Sequence, residues 1–307
     1  MAFVAILAAA AAATCVQSAD QQIVVPLHLV RYADGSTQLG IDVTFGTKTQ
    51  RVLFDTGSTG LRILAGALPA DAVHRTGRSL TYGYGSGMQV EGEEANAALS
   101  IGAAHGTNVP IQVVDRVVCN PVQLTDCPKD LVAASDFAGP YPGIMGVYVR
   151  SPQLDCCDSP LYNLEGKVGR HFVVHANFDA PALILNPDTT TMKPFSIVDF
   201  EAFGAPRGCI HIYESGLETC GPVIFDTGTP MLLVTTTGVV PALPWTHATV
   251  RIGGWTHDFT VGATEVGKVP LYVMHRDTVR IVLGLPAMQQ FDVFYDLDAR
   301  RVGVVTR

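Results

Sequence analysis

Apolar and polar residues alternate with a period of two in many short runs along this chain, the pattern of strands with one buried face. Ile23 to Val30 and Leu39 to Phe45 alternate in this way, on either side of the polar turn Ala33-Asp34-Gly35-Ser36. Gln50 to Phe54 is a third run and delivers Asp55. Ser79 to Tyr82 and Met88 to Glu94 flank Gly83-Tyr84-Gly85-Ser86-Gly87, which predicts a hairpin with a glycine-rich tip. Gly143-Ile144-Met145-Gly146-Val147 is a short apolar segment between glycines, and Leu161 to Leu164 begins a short helix. In the second half, Phe172-Val173-Val174, Leu183-Ile184-Leu185 and Val223 to Phe225 read as strands, the last delivering Asp226. Val250 to Thr256 reads as a hairpin around Gly253-Gly254. Ile281-Val282-Leu283-Gly284 and Phe291 to Asp296 read as strands around a helical turn at Pro286 to Gln290. No long helical period interrupts this pattern. The expectation is an all-β chain whose halves share one plan: strands, Asp-Thr-Gly, then an apolar segment closed by glycine.

Composition sharpens this picture in three places. With 307 residues the chain has the length for two lobes, placed at 20–170 and 171–307, and 30 glycines with 19 prolines supply turns. Charged residues make up only 16% of the chain, net charge is −8 and no Lys/Arg cluster occurs, which argues against a nucleic-acid partner. Residues 1–19 form an alanine-rich apolar leader, too short to span a bilayer comfortably and lacking the usual Lys or Arg at its start. It reads as a secretory signal peptide, which implies a secreted or periplasmic protein without stable membrane insertion.

Beyond Cys15, six cysteines remain: Cys119, Cys127, Cys156, Cys157, Cys209 and Cys220. An even count behind such a leader favours disulfides. Cys209 with Cys220 and Cys119 with Cys127 are the natural local pairs. Cys156 and Cys157 are adjacent, so one or both could instead join Cys119 or Cys127, and the connectivity stays open. There is no Cys-x-x-Cys and no His-Glu-x-x-His. His171 and His175 share one face of a strand but lack a third ligand, so they read as structural and no metal or cofactor is expected.

The candidate chemistry lies in two triplets. Val52-Leu53-Phe54-Asp55-Thr56-Gly57-Ser58 and Val223-Ile224-Phe225-Asp226-Thr227-Gly228-Thr229 each place a carboxylate where an apolar strand meets a glycine turn. Such a group is costly to bury unless it is hydrogen-bonded or shares a proton. One in each half suggests two related lobes serving a shared site. These motifs resemble those of the pepsin-like aspartic endopeptidase family. Tyr82-Gly83-Tyr84-Gly85-Ser86 is similar to its flap, and Ile144-Met145-Gly146 and Val282-Leu283-Gly284 to the paired segments behind its catalytic loops. Cys220 and the closing run from Phe294 to Gly303 also match the family pattern. The resemblance spans nearly all of the chain after the leader.

That resemblance implies an all-β, bilobal fold with a cleft between the lobes, and catalysis by Asp55 and Asp226. Two neighbouring carboxyls hold one proton between them; the ionised partner activates a water and the protonated one polarises the scissile carbonyl. Ser58 and Thr229 would hold the carboxylates, Gly57 and Gly228 would admit close approach, and Thr56 and Thr227 would brace the loops. Tyr82, Gly83 and Tyr84 would form the substrate-binding flap. The expected partner is a peptide or protein substrate and the expected state a monomer. Two departures stand out: Arg62 occupies the place of the family's flap-supporting tryptophan, where it could stack on Tyr82, bind an acidic group or lie at the surface, and Pro230 occupies that of a hydroxyl residue. About 35 residues separate the leader from Asp55, so no zymogen segment is expected. The alternative is a peptide-binding or inhibitor-like protein on the same fold without turnover. A sugar-binding role has little to support it with only Trp245 and Trp255 available.

Overall fold

A computed structural model describes residues 21–122, 139–149, 156–201, 204–240, 244–262 and 267–307. The leader and Cys127 lie outside these residues. Strands dominate, in three assemblies. The first half builds an eight-stranded sheet in the order His28–Arg31, Thr37–Phe45, Lys48–Asp55, Gly143–Val147, Thr59–Leu64, Ala104–Cys119, Met88–Ile101 and Val73–Gly83. The second half closes a barrel in the order Arg207–Ile212, Leu217–Asp226, Arg280–Gly284, Leu232–Thr236, Val269–His275, Trp255–Gly262 and His247–Ile252. The third is a six-stranded sheet of Ile23–Pro26, Ala182–Leu185, His171–His175, Phe291–Asp296, Arg301–Thr306 and Ser196–Asp199.

The expected strand Ile23 to Val30 is in fact two. Ile23–Pro26 pairs with Ala182–Leu185 in the six-stranded sheet, and His28–Arg31 pairs with Thr37–Phe45 in the first half. Pro26 has no N–H to continue a ladder, so the chain changes sheets there, and the Leu27 amide donates to Pro181 O instead. The expected helix near Leu161 is a 3-10 turn, Pro160–Asn163, and the one near Pro286 is the four-residue helix Leu285–Met288.

The two halves repeat one arrangement around their Asp-Thr-Gly loops. Lys48–Asp55 runs parallel to Gly143–Val147, with Phe54 opposite Met145 and Asp55 opposite Gly146. Leu217–Asp226 runs parallel to Arg280–Gly284, with Phe225 opposite Leu283 and Asp226 opposite Gly284. In each half the strand after the loop lies antiparallel to that apolar segment, as Thr59–Leu64 and as Leu232–Thr236. Glycine is required at the crossing point: a Cβ on Gly146 would lie 2.5 Å from the Ser58 carbonyl carbon, and one on Gly284 would strike the Met231 and Thr229 carbonyls. Each motif strand is therefore central to its half, and its apolar residues enter one continuous core that includes Val52, Phe54, Val223, Phe225 and Phe291. Burial of each large side chain contributes about 1.5–3 kcal/mol, which anchors the loops to a rigid base.

Cys209 and Cys220 sit opposite each other on adjacent antiparallel strands and are bonded. Cys156 and Cys157 are bonded to one another, which settles the connectivity left open for them. Cys157 packs over Gly60, whereas Cys119 lies beside the hairpin at Met88. Cys119 is also in a disulfide. His175 Nδ1 lies 2.8 Å from Asp292 Oδ1 and His171 Nε2 3.2 Å from Asp296 Oδ1, so both histidines are engaged within the six-stranded sheet. Among the described residues no helix is long and apolar enough to cross a membrane.

Candidate active site

Asp55 and Asp226 emerge from the ends of their strands into matching hydrogen-bond frames. Gly57 N donates to Asp55 Oδ1 at 2.8 Å, and the Ser58 hydroxyl donates to Asp55 Oδ2. Gly228 N donates to Asp226 Oδ1 at 2.8 Å, and the Thr229 hydroxyl to Asp226 Oδ2 at 2.7 Å. In both loops the carboxylate thus caps its own glycine turn and takes a hydroxyl three residues on. Asp55 is only 6% exposed.

The carboxyls face each other across the two glycines. A Cβ added to Gly228 would stand 2.9 Å from Asp55 Oδ1 and 3.2 Å from Asp226 Oδ1, so one point lies within reach of both groups. A Cβ on Gly57 would come 2.5 Å from both oxygens of Asp226. Enclosure of the Asp226 carboxyl, and then the charge of Asp55, push its pKa well above the usual carboxylate range, against the hydrogen bonds from Thr229 and Gly228. Gly57→Ala is expected to force the two loops apart. A displacement of an ångström or so at a reacting group costs on the order of 100-fold in rate, and titration of a statine-type peptide analogue against this variant would register the same loss as weakened binding.

Beneath the carboxyls the loops are laced together by two threonines. Thr56 Oγ1 donates to Phe225 O at 2.7 Å and accepts from Thr227 N at 3.0 Å. Thr227 Oγ1 donates to Phe54 O at 2.7 Å and accepts from Thr56 N at 3.0 Å. Both side chains are fully buried, and the four bonds join residues about half a chain apart. They set the separation of the two strand ends, and hence of the carboxyls.

The hairpin between Val73–Gly83 and Met88–Ile101 is closed at its tip by Tyr84 N donating to Met88 O at 2.7 Å and Gly87 N to Tyr84 O at 3.0 Å. Gly87 has φ of +78°, a backbone conformation that favours glycine. The rings of Tyr82 and Tyr84 meet edge to face with centroids 5.0 Å apart. Burial raises the pKa of the Tyr84 hydroxyl, and the group lies within electrostatic reach of Arg62 and Asp55. Tyr82 and Gly83 join Tyr84 at this tip, and through Tyr84 the tip is coupled to the first carboxyl. Pro230 is exposed next to the second loop.

The crystal structure of an aspartic proteinase from Irpex lacteus superposes with a TM-score of 0.64, covering 93% of this chain and 97% of that one at 17% identity. The fold is pepsin-like. It is bilobal and almost wholly β, and the identity is low enough that the likeness concerns the fold alone. A family model described as "Protein of unknown function (DUF3443)" matches residues 44–163, a stretch that carries Asp55 and the hairpin but not Asp226. No curated protein matches the chain.

Three neighbours of the site were not legible as such in the sequence. Gln112 lies opposite Arg62 on adjacent parallel strands and donates to Leu80 O at 3.1 Å, tying the hairpin to the sheet. Cys156 contributes only its carbonyl, which accepts from Arg62 Nη2 at 3.4 Å. Tyr295 is buried near both carboxyls, and burial raises its hydroxyl pKa. Gln112 belongs to no recognised motif, Cys156 stands out only for its pairing and Tyr295 only as part of the closing run, and their placement beside the site depends on contacts across long sequence separations.

Proposed function

We propose that this chain is an aspartic endopeptidase. The observation that carries the reading is the meeting of two carboxyls, one from each half, in mirrored hydrogen-bond frames. Like charges this close disfavour double ionisation, so the pair holds a single proton over an acidic range. Proton sharing by such a dyad is the general rule for aspartic proteases rather than a property special to this chain. Burial and the neighbouring charge raise the affinity of the dyad for that proton, so the pair keeps it. In this mechanism the ionised partner takes a proton from a water held between the carboxyls, and the water oxygen attacks the scissile carbonyl. The protonated partner donates a hydrogen bond to that carbonyl oxygen, and the dyad then protonates the leaving nitrogen. No covalent enzyme intermediate forms. Tyr82, Gly83 and Tyr84 cover an extended peptide and exclude water.

The substrate is a peptide or unfolded protein segment lying across the cleft. The bonded pairs Cys156–Cys157 and Cys209–Cys220 suit an oxidising compartment and a secreted or periplasmic location. The expected result is cleavage of casein with a rate that rises into the acidic range and falls once both carboxyls ionise or both are protonated. A rate profile followed from pH 2 to 7 checks it. Tight binding of a statine-type analogue without cleavage anywhere in that range would instead identify a binder on the same fold.

A further inference from the structure

Arg62 is the largest fully buried side chain among the described residues, at 1% exposure, and it has no carboxylate partner among them. A buried cation in that position is expensive unless other groups replace its hydration. Its surroundings do so at the two terminal nitrogens, while Nε has no hydrogen-bond partner among the described residues. Nη1 donates to the carbonyls of Thr59 and of Gly60, the latter at 3.3 Å, and Nη2 donates to Cys156 O at 3.4 Å. On its open face the guanidinium carbon lies 3.4 Å from the centre of the Tyr82 ring, a close cation–π contact. The Tyr84 ring meets Tyr82 edge-on and completes the stack.

The same strand pair reaches the hairpin twice. Arg62 and Gln112 are partners across Thr59–Leu64 and Ala104–Cys119, so their side chains share one face of the sheet. Gln112 holds the hairpin backbone at Leu80, and Arg62 holds the ring two residues further on. Cys157 crowds Gly60, whose φ of +81° and tight surroundings admit no side chain, so the bonded Cys156–Cys157 turn sits beside the arginine's guanidinium. A flat guanidinium, gripped by carbonyls at its edge, is left with one face to offer, and Tyr82 occupies it.

We propose that Arg62 is a positioning residue: its guanidinium holds Tyr82, and with it the hairpin, over the Asp55 side of the cleft, while the Cys156 carbonyl helps hold the guanidinium at its edge. The catalytic consequence rests on the endopeptidase reading; the placement of the hairpin does not.

A double-mutant cycle and an optical probe test the two parts separately. In the cycle, Arg62→Met and Tyr82→Leu are each expected to lower kcat/KM by roughly 10- to 30-fold. The double variant should be no worse than the weaker single one, because both remove the same contact. Independent, multiplying losses would overturn the coupling. Arg62→Lys keeps the buried charge but not the planar stack, and is expected to fall between wild type and Arg62→Met; it also serves if Arg62→Met does not fold. For the optical probe, Tyr82→Trp places an indole on the arginine, and acrylamide quenching of its emission is compared with and without Arg62→Met or Arg62→Lys. The expected result is steeper quenching in both arginine variants as the hairpin lifts. Unchanged quenching in both would overturn the proposal even if the chain cleaved no peptide, and steeper quenching without turnover would leave the placement standing while the endopeptidase reading fell.

Discussion

Asp55→Asn and Asp226→Asn are each expected to lower peptide turnover by roughly a thousandfold or more, measured as initial rates of casein cleavage at acidic pH with folding checked by circular dichroism. An amide fills the same space: its oxygen still accepts from the glycine N–H, and its NH2 donates to the hydroxyl, which turns from donor to acceptor. It cannot, however, exchange a proton with water or with its neighbour. The loss therefore isolates proton transfer from packing. Wild-type turnover in either variant would rule out the shared-proton mechanism.

The Asp226→Asn substitution should act on stability in the opposite direction. Well below pH 3.8 the carboxyl is protonated in both folded and unfolded chains and contributes no difference. As pH rises past 3.8 the unfolded chain gives up its proton while the folded chain keeps it, because burial and Asp55 hold the native pKa higher. The unfolded state then binds fewer protons than the folded one, so stability falls with rising pH until the folded carboxyl also ionises. Asparagine has no such penalty. The variant is expected to gain about 1–2 kcal/mol over wild type near neutrality and little at the acid end, checked by urea unfolding at both pH values. An equal effect at both would remove the titration argument.

Thr227→Val is expected to show the second large effect, on stability and turnover together. Valine matches threonine in shape, so the core stays filled. What disappears is the hydroxyl that donates to Phe54 O and accepts from Thr56 N. Both of those backbone groups are left buried without a partner, at about 1–3 kcal/mol each. A loss on the order of 2–5 kcal/mol in urea unfolding is therefore expected. Thr56→Val should behave alike, because its bonds to Phe225 O and Thr227 N mirror the first set. Since the same bonds set the carboxyl separation, kcat should fall more than KM rises. A variant with full stability and full turnover would show that the lacing is incidental.

Most strands could be read from periodicity, because alternation reflects burial of one face and that is a local property of the chain. Lys48–Asp55 and Leu217–Asp226 were foreseeable as strands ending at a carboxylate, since apolar runs stopped by Asp-Thr-Gly are visible in one dimension. The division of Ile23 to Val30 between two sheets was not, although Pro26 marks the point. Alternation shows which face is buried but not which sheet buries it. The bond between Cys156 and Cys157 was likewise undecided, because pairing depends on where the distant Cys119 is carried.

Arg62 separates the two kinds of knowledge most clearly. Its sequence position marks it as a departure beside the first carboxylate motif and allows a stack on Tyr82, a contact with an acidic group or a surface location. The fold decides for the stack, burying the guanidinium between three carbonyls and a tyrosine ring. By itself the sequence determined that two carboxylates would sit at the ends of buried strands, one in each half, because strand period, apolar content and glycine turns are short-range signals. Only the tertiary structure decided that the carboxyls face each other, that Thr56 and Thr227 exchange hydrogen bonds, and that Arg62 lies under the hairpin. Each of those contacts joins segments remote in sequence, and their formation depends on how whole sheets pack against one another.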